Sequence, residues 1–166
     1  MFVRAEVYKK LGGLDPRFFA HMEEIDLCWR IKNNGYKIKY SSLVKVYHVG
    51  GGTLANNNPF KLYLNYRNNL LLLYKNLPSN TMFFTIFKRL VFDGMSASIY
   101  LLKFNFKFFA AVFHAHINFY KMIKYYKDFR NENKEKNKVN YNEVYKKSIV
   151  FSYFFKKIKK FSNLKF

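Results

Sequence analysis

A short region, residues 12–52, constrains the fold more than any other part of the chain. It opens with a glycine pair, an Asp-Pro turn and two adjacent phenylalanines, Gly12-Gly13-Leu14-Asp15-Pro16-Arg17-Phe18-Phe19. A helical pattern with three carboxylates follows, a glycine closes it, and an alternating segment leads to a lone histidine and a glycine-rich loop. Loop, helix and extended segment in this order predict a mixed α/β arrangement.

Two helices are predicted within the first third of the chain. Residues 4–11 carry apolar side chains at helical spacing, and Gly12 provides the stop. Residues 22–33 repeat this pattern, and Gly35 provides the exit from the helix. The single cysteine, Cys28, lies in the second helix. It is expected to be a small buried hydrophobic side chain rather than a nucleophile, because no local base accompanies it.

Two extended segments are predicted after the second helix. Residues 36–40 alternate apolar and basic side chains, which is typical of a half-buried strand. Residues 43–49 continue the pattern, with Val44, Val46 and His48 on one face. His48 is therefore expected to point the same way as the core-facing valines. Three glycines follow and predict a flexible loop of the kind that folds over a bound ligand.

The pattern of the middle of the chain predicts helices, and two environments are open for them. Asn58 and Pro59 predict a helix start, and Pro78 ends the run 60–77. Residues 82–126 are strongly hydrophobic, but charges interrupt them before any window reaches the ~18–20 apolar residues of a spanning helix. These helices are expected to lie in a membrane interface, with lysines reaching toward the head groups, or to form a helical subdomain packed on the first third. The same helices can do both.

The net charge of +20 indicates an anionic partner. Residues 121–166 contain 14 Lys and Arg against 4 Asp and Glu, so the basicity is greatest at this end. An AT-rich coding sequence is the other explanation for the excess of Phe, Lys, Asn, Tyr and Ile. Residues 128–142 are polar without periodicity and predict a solvated linker.

The last part of the chain favours lipid over nucleic acid. Residues 150–161 interleave aromatic side chains with lysines, a pattern that anionic lipid attracts. Single-stranded nucleic acid suits the same pattern, but no recognisable nucleic-acid-binding module accompanies it. No nucleic acid is therefore expected as a partner.

Clustered carboxylates are the most chemically informative feature. Glu23 and Glu24 stand in the first turn of a predicted helix, where acidic side chains complement the helix dipole. In company with an aromatic loop and a histidine at the end of a nearby strand, they also offer a general base and a metal ligand from adjacent elements.

The motifs of this region resemble the C-terminal half of the catalytic domain of family 2 glycosyltransferases, the inverting GT-A fold enzymes. The rhamnosyltransferase-like members of bacterial surface-polysaccharide pathways are the most similar. The family pattern runs Gly-Gly-Phe-Asp-Glu-x-Phe-Phe, then Glu-Asp-x-Asp-Leu-Cys-x-Arg, then Gly-Tyr, then a strand ending in His before glycines. The matching residues are 12–19, 23–30, 35–36 and 48–52, and residues 66–69, Tyr-Arg-Asn-Asn, look like the Arg-Asn of the family's next helix.

The resemblance implies an α/β fold and a division of the chain. Residues 1–56 would be the C-terminal half of a GT-A type nucleotide-sugar transferase domain. Residues 57–127 would be amphipathic and hydrophobic helices associated with a membrane, and residues 128–166 a basic linker and tail. The family's nucleotide-binding half carries the first βαβ units and an Asp-x-Asp metal motif, and no Asp-x-Asp occurs in residues 1–166. An N-terminally truncated product or a fragment is therefore expected.

The resemblance also implies catalytic roles for three carboxylates. Glu24 occupies the position of the base that deprotonates the acceptor hydroxyl for in-line attack on the sugar's anomeric carbon, which inverts that centre. The family usually has Asp at this position. Glu23 and Asp26 would orient the acceptor and the helix.

Binding roles follow from the same motifs. Gly13, Asp15 and Arg30 would contact the acceptor. His48 would be a ligand to the divalent cation, Mg or Mn, that neutralises the departing nucleoside diphosphate.

The function implied is transfer of a sugar from a nucleotide-diphosphate sugar to a polysaccharide or lipid-linked acceptor, in surface polysaccharide synthesis. The expected location is the cytoplasmic face of the cell membrane, with the anionic membrane surface as a further partner. The alternative is a catalytically inactive remnant that binds a membrane surface independently of Glu24 and His48. A third possibility, charge-driven nucleic-acid binding, would give an affinity that falls steeply with salt.

Overall fold

The computed structural model describes residues 1–47, 57–132, 145 and 147–165, and every regular element in these ranges is helical. Two 3₁₀ turns lie at Pro16–Phe18 and Phe161–Asn163. The α-helices of the described ranges are α1 (Ala5–Lys10), α2 (Glu23–Asn33), α3 (Pro59–Asn76), α4 (Ser79–Leu102), α5 (Phe106–Met122), α6 (Lys124–Glu132) and α7 (Ile149–Phe154).

The predicted α/β fold, and with it the GT-A half, is wrong for the residues that the structure describes, because they contain no strand and no sheet. The two predicted strands form no ladder over residues 36–47. Tyr40, Leu43 and Tyr47 in this segment are 91%, 93% and 94% exposed. A strand needs a neighbouring strand to bond its backbone N–H and C=O groups, and alternation alone supplies none. Residues 48 and 49 of the second predicted strand lie outside the described ranges.

The predicted helices of the first half are confirmed. α1 lies within residues 4–11, and α2 covers all but the first residue of the predicted range. Asn58 caps α3 as expected: its Oδ1 accepts a hydrogen bond from the backbone N–H of Phe60 at 2.8 Å, and Pro59 occupies the first helical position.

α3 is the centre of the bundle, because it packs against α2, α4, α5 and α6. Its leucines 70–72 are buried and meet Phe18, Phe119 and Tyr126 in the main hydrophobic core. The 3₁₀ turn that carries Phe18 is thereby joined to the helices that follow it by more than 40 positions. A second, smaller core joins α1 to α2 and consists of Val7, Leu27 and Ile31.

The predicted linker 128–142 is helical at its start, because α6 continues to Glu132. Arg130 explains this difference. Its Nη1 donates to the carbonyl oxygens of Tyr74 and Leu77 at 2.6 and 2.7 Å, and its Nη2 donates to Ser79 Oγ at 3.0 Å. A cation at the end of α3 satisfies carbonyls that have no partner within the helix. The rest of the predicted linker lies outside the described ranges.

α4 and α5 form an antiparallel hairpin whose two helices pack against each other and against α3. The connecting residues 103–105 form a tight turn. Among the helices in the described ranges, none combines the length and the apolar character needed to cross a membrane.

Candidate functional site

The loop before α2 has an unusual backbone. Gly12 and Gly13 have φ of 76° and 64°, values that glycine adopts at no steric cost. Phe19, His21 and Met22 also have positive φ, of 65°, 69° and 74°. Non-glycine residues rarely adopt this conformation, and it persists only where the surrounding structure holds it.

Two neighbouring side chains of α3 hold this loop. Arg67 Nη2 donates to the carbonyl oxygens of residues 17 and 18 at 3.1 and 3.0 Å. Asn68 Nδ2 lies 2.8–2.9 Å from the carbonyl oxygens of residues 18, 20 and 21. Asn68 is fully buried, and Arg67 Nε donates to its Oδ1 at 2.9 Å. The Arg-Asn pair noted in the sequence therefore contacts the strained backbone directly.

Asp26 is the centre of a buried ion network. It is 0% exposed. Its Oδ2 accepts from Arg30 Nε at 2.8 Å and from Lys75 Nζ at 2.9 Å, and its Oδ1 accepts from Asn76 Nδ2 at 2.9 Å. Both carboxylate oxygens thus have partners, as a buried charge requires.

The same network includes the loop before the 3₁₀ turn. Lys75 Nζ donates to Asp15 Oδ2 at 2.9 Å. Arg30 donates to the carbonyl oxygens of Leu11 and Gly13, the latter at 2.7 Å. Four of the residues to which the resemblance gives site roles, Gly13, Asp15, Asp26 and Arg30, are therefore brought together.

Asp15 in this network and Tyr126 beside it have shifted pKa values. Burial alone would raise the pKa of Asp15, but the hydrogen bond and charge of Lys75 and the backbone N–H of Arg17 outweigh it, and the pKa lies below its usual value. Burial, followed by the negative charge of Asp15, raises the pKa of Tyr126 well above its usual value. Asp15 is therefore ionised and Tyr126 neutral at physiological pH.

Glu24 differs from Asp26 in its surroundings, because it is exposed on the first turn of α2. Cys28 lies one turn further along the helix, where burial and then the charge of Glu24 raise its pKa. Its thiolate is correspondingly disfavoured. Within the described residues, Glu23 Oε2 and His21 Nε2 are buried atoms without a hydrogen-bond partner.

The described residues contain no group of three or more His, Cys, Asp or Glu side chains that could hold a metal ion. His48, which the resemblance makes a metal ligand, lies outside the ranges that the structure describes. The divalent-metal expectation accordingly stays a prediction.

Lys75 and Asn76 are site residues that the sequence reasoning missed. Both lie at the end of a helix whose middle is apolar all round. Lysine is almost never fully buried unless it is paired. A lysine so close to the leucines 70–73 therefore indicates that it is buried and paired with a carboxylate.

Comparison of the chain with models of protein families, with curated proteins and with solved structures gives no match. Functional inference for this chain therefore depends on the contacts, burial and charge of the residues above.

Proposed function

We propose that this chain supplies the acceptor side of an inverting sugar-transfer enzyme of the family 2 glycosyltransferase type. The donor would be a nucleotide-diphosphate sugar, and the acceptor a hydroxyl group of a polysaccharide or of a lipid-linked glycan. One observation carries the proposal: Glu24 presents an exposed carboxylate on a helix that buried ion pairs hold in place.

Glu24 acts as a general base in this proposal. Its carboxylate takes the proton from the acceptor hydroxyl while that oxygen bonds to the anomeric carbon. The bond from this carbon to the diphosphate oxygen breaks, and the nucleoside diphosphate leaves with the electron pair. A single displacement of this kind inverts the anomeric centre. An exposed carboxylate suits the role because a glycan chain can reach it.

The buried network positions the base. Asp26 is fully enclosed and bonded through both oxygens, so it acts on α2 rather than on substrate. Lys75 and Arg30 tie α2 to α3 and to the glycine loop. Such rigidity matters because a misplacement of about 1 Å can cost roughly 100-fold in rate.

Donor binding belongs to a separate nucleotide-binding part in this proposal, because residues 1–166 contain no Asp-x-Asp motif. The Mg or Mn ion implied by the resemblance would neutralise the leaving diphosphate when bound.

Complementation in the source cell tests the proposal. The chromosomal copy is replaced by wild type or by one of three variants, and membranes are assayed for label transferred from nucleotide sugars to endogenous acceptor. Glu24→Gln should lower transfer by about 10²–10⁴-fold, because the amide cannot accept the proton. Glu24→Asp should retain most of the transfer, since the family usually has Asp there. Glu6→Gln, at an exposed carboxylate of α1, is the matched control.

Unchanged transfer by Glu24→Gln at equal protein level would contradict the proposed base. Turnover of a nucleotide sugar by the purified 166-residue chain alone would contradict the assignment of donor binding to a separate part.

A further inference from the structure

The α4–α5 hairpin exposes a long apolar surface. One stripe of α4 side chains recurs every three or four residues, which places them on one face of the helix. These side chains are 49–78% exposed. We name them the α4 stripe: Phe84, Phe87, Val91, Met95, Ile99 and Leu102.

The turn of the hairpin continues this surface. All residues from 101 to 107, the hairpin tip, are exposed. Phe104 and Phe106 are 80% and 60% exposed, and their rings lie edge to face with centroids 6.4 Å apart. Lys103 and Lys107 flank them. The tip therefore combines large apolar groups with two cations in seven residues.

No exposed carboxylate interrupts the hairpin. Asp93 is the one acidic residue between positions 79 and 122, and it is 2% exposed. Arg89 Nε lies 2.6 Å from its Oδ1, and His116 Nε2 lies 3.2 Å from its Oδ2. The carboxylate of Asp93 is therefore paired with side chains of the bundle. The exposed charges of the hairpin are those of Lys88, Lys103, Lys107 and Lys121.

We infer that the α4 stripe and the hairpin tip form a docking surface for an anionic lipid bilayer. Exposed aromatic and aliphatic groups enter the interface, while the long side chains of the hairpin's lysines extend to the head groups. A second copy of the chain fits less well, because lysine is depleted in protein interfaces and a net charge of +20 opposes self-association. The inference is independent of sugar transfer, since Glu24 takes no part in it.

Vesicle flotation with the full chain tests the charge at the tip. Vesicles of phosphatidylcholine alone are compared with vesicles that also contain phosphatidylglycerol. Lys103→Gln with Lys107→Gln should lower partitioning onto the anionic vesicles by roughly 10- to 30-fold. Lys37→Gln with Lys39→Gln removes the same charge from exposed positions outside the hairpin and should have a much smaller effect.

A second set of variants tests apolar insertion. Leu102→Ser with Phe104→Ser should lower partitioning at least tenfold, because two large side chains no longer leave water. The fluorescence that Phe104→Trp adds to that of the native Trp29 should be quenched by lipids with brominated chains, while the fluorescence of wild type measures the contribution of Trp29. The tryptophan variant keeps the inference testable if the serine variant fails to fold.

Equal losses from the two lysine pairs would overturn the inference, because binding would then follow total charge alone. Absence of quenching at position 104 on bound vesicles would do the same. A third outcome would also overturn the inference: sedimentation equilibrium shows a dimer, and Leu102→Ser with Phe104→Ser converts it to monomer without changing vesicle binding. In that case a second copy of the chain would occupy the surface.

Discussion

Lys75 is the cation on which the buried network depends. It is 3% exposed and reaches both Asp15 and Asp26 at 2.9 Å. Its ammonium also lies over three aromatic rings, at 4.9–5.6 Å from their centroids. Aromatic faces favour a cation when water is excluded. These rings belong to Phe18, Tyr126 and Phe129.

Replacing this lysine should be costly. Lys75→Met leaves Asp15 without its buried cation and Asp26 with one buried cation, Arg30, instead of two. We expect the free energy of unfolding to fall by about 3–5 kcal/mol. Urea unfolding followed by circular dichroism measures it. Lys127→Met, at an exposed position of α6, should change stability by less than about 0.5 kcal/mol. A loss for Lys75→Met no larger than that of this control would mean that the network contributes little.

The loop before α2 owes its conformation to α3 rather than to its own residues. Three non-glycine residues with positive φ lie between positions 19 and 22, and each such residue costs of order 1–3 kcal/mol. Arg67 and Asn68 offset that cost by bonding the loop carbonyls. A single helix therefore holds both the 3₁₀ turn and the residues that lead into the helix carrying Glu24.

Asn68→Ala tests this coupling between elements. The loop carbonyls lose their buried donor, and we expect the free energy of unfolding to fall by about 2–3 kcal/mol. Amide hydrogens of residues 18–22 should also exchange faster. Asn65→Ala is the control, because the Asn65 side chain donates to the carbonyl oxygen of Lys61, within α3 itself, at 3.0 Å. Unchanged exchange in the loop of Asn68→Ala would show that α3 does not hold it.

Because the molecule carries a large positive net charge, its stability should depend on pH in the acid range. The net charge of +20 is the difference between 30 Lys and Arg and 10 Asp and Glu, so protonation of carboxylates at low pH increases the repulsion among the cations. Burial acts to raise the pKa of Asp15, but the hydrogen bond and charge of Lys75 and the backbone N–H of Arg17 hold this pKa below its usual value. The stabilisation by Asp15 is therefore complete above the unfolded-state pKa and is lost as the pH falls through the folded-state pKa.

Asp15→Asn should lower stability at about pH 6, and the gap to wild type should narrow by about pH 3, because the wild-type carboxylate is then losing its advantage. Urea unfolding at the two pH values measures the gap. Asp128→Asn, at an exposed carboxylate of α6, is the control. A gap for Asp15→Asn that is constant with pH would show that its ionisation does not stabilise the fold.

Local signals in the sequence were sufficient to predict the first helices. The Asn58 cap, Pro59 and the glycine stops act within one or two turns of backbone, so α1, α2 and the start of α3 could be predicted. The strands predicted over residues 36–47 are wrong, because a strand exists only through a partner strand, which the alternation of side chains does not supply. The continuation of α6 beyond residue 127 was missed for a similar reason, since Arg130 gains its contacts from the end of α3 and the start of α4.

The candidate site, like the fold, has features that local sequence signals predict and features that depend on packing. Residue types and spacing single out the glycine pair and the carboxylates of α2, and the family resemblance adds the Arg-Asn pair. Packing of α2 against α3 encloses Asp26 and leaves Glu24 exposed to solvent. Asp26 meets Lys75 across 49 positions, and Asp15 meets it across 60. No local pattern can specify such pairings, because the charges become neighbours only when α3 packs against α2 and excludes water between them.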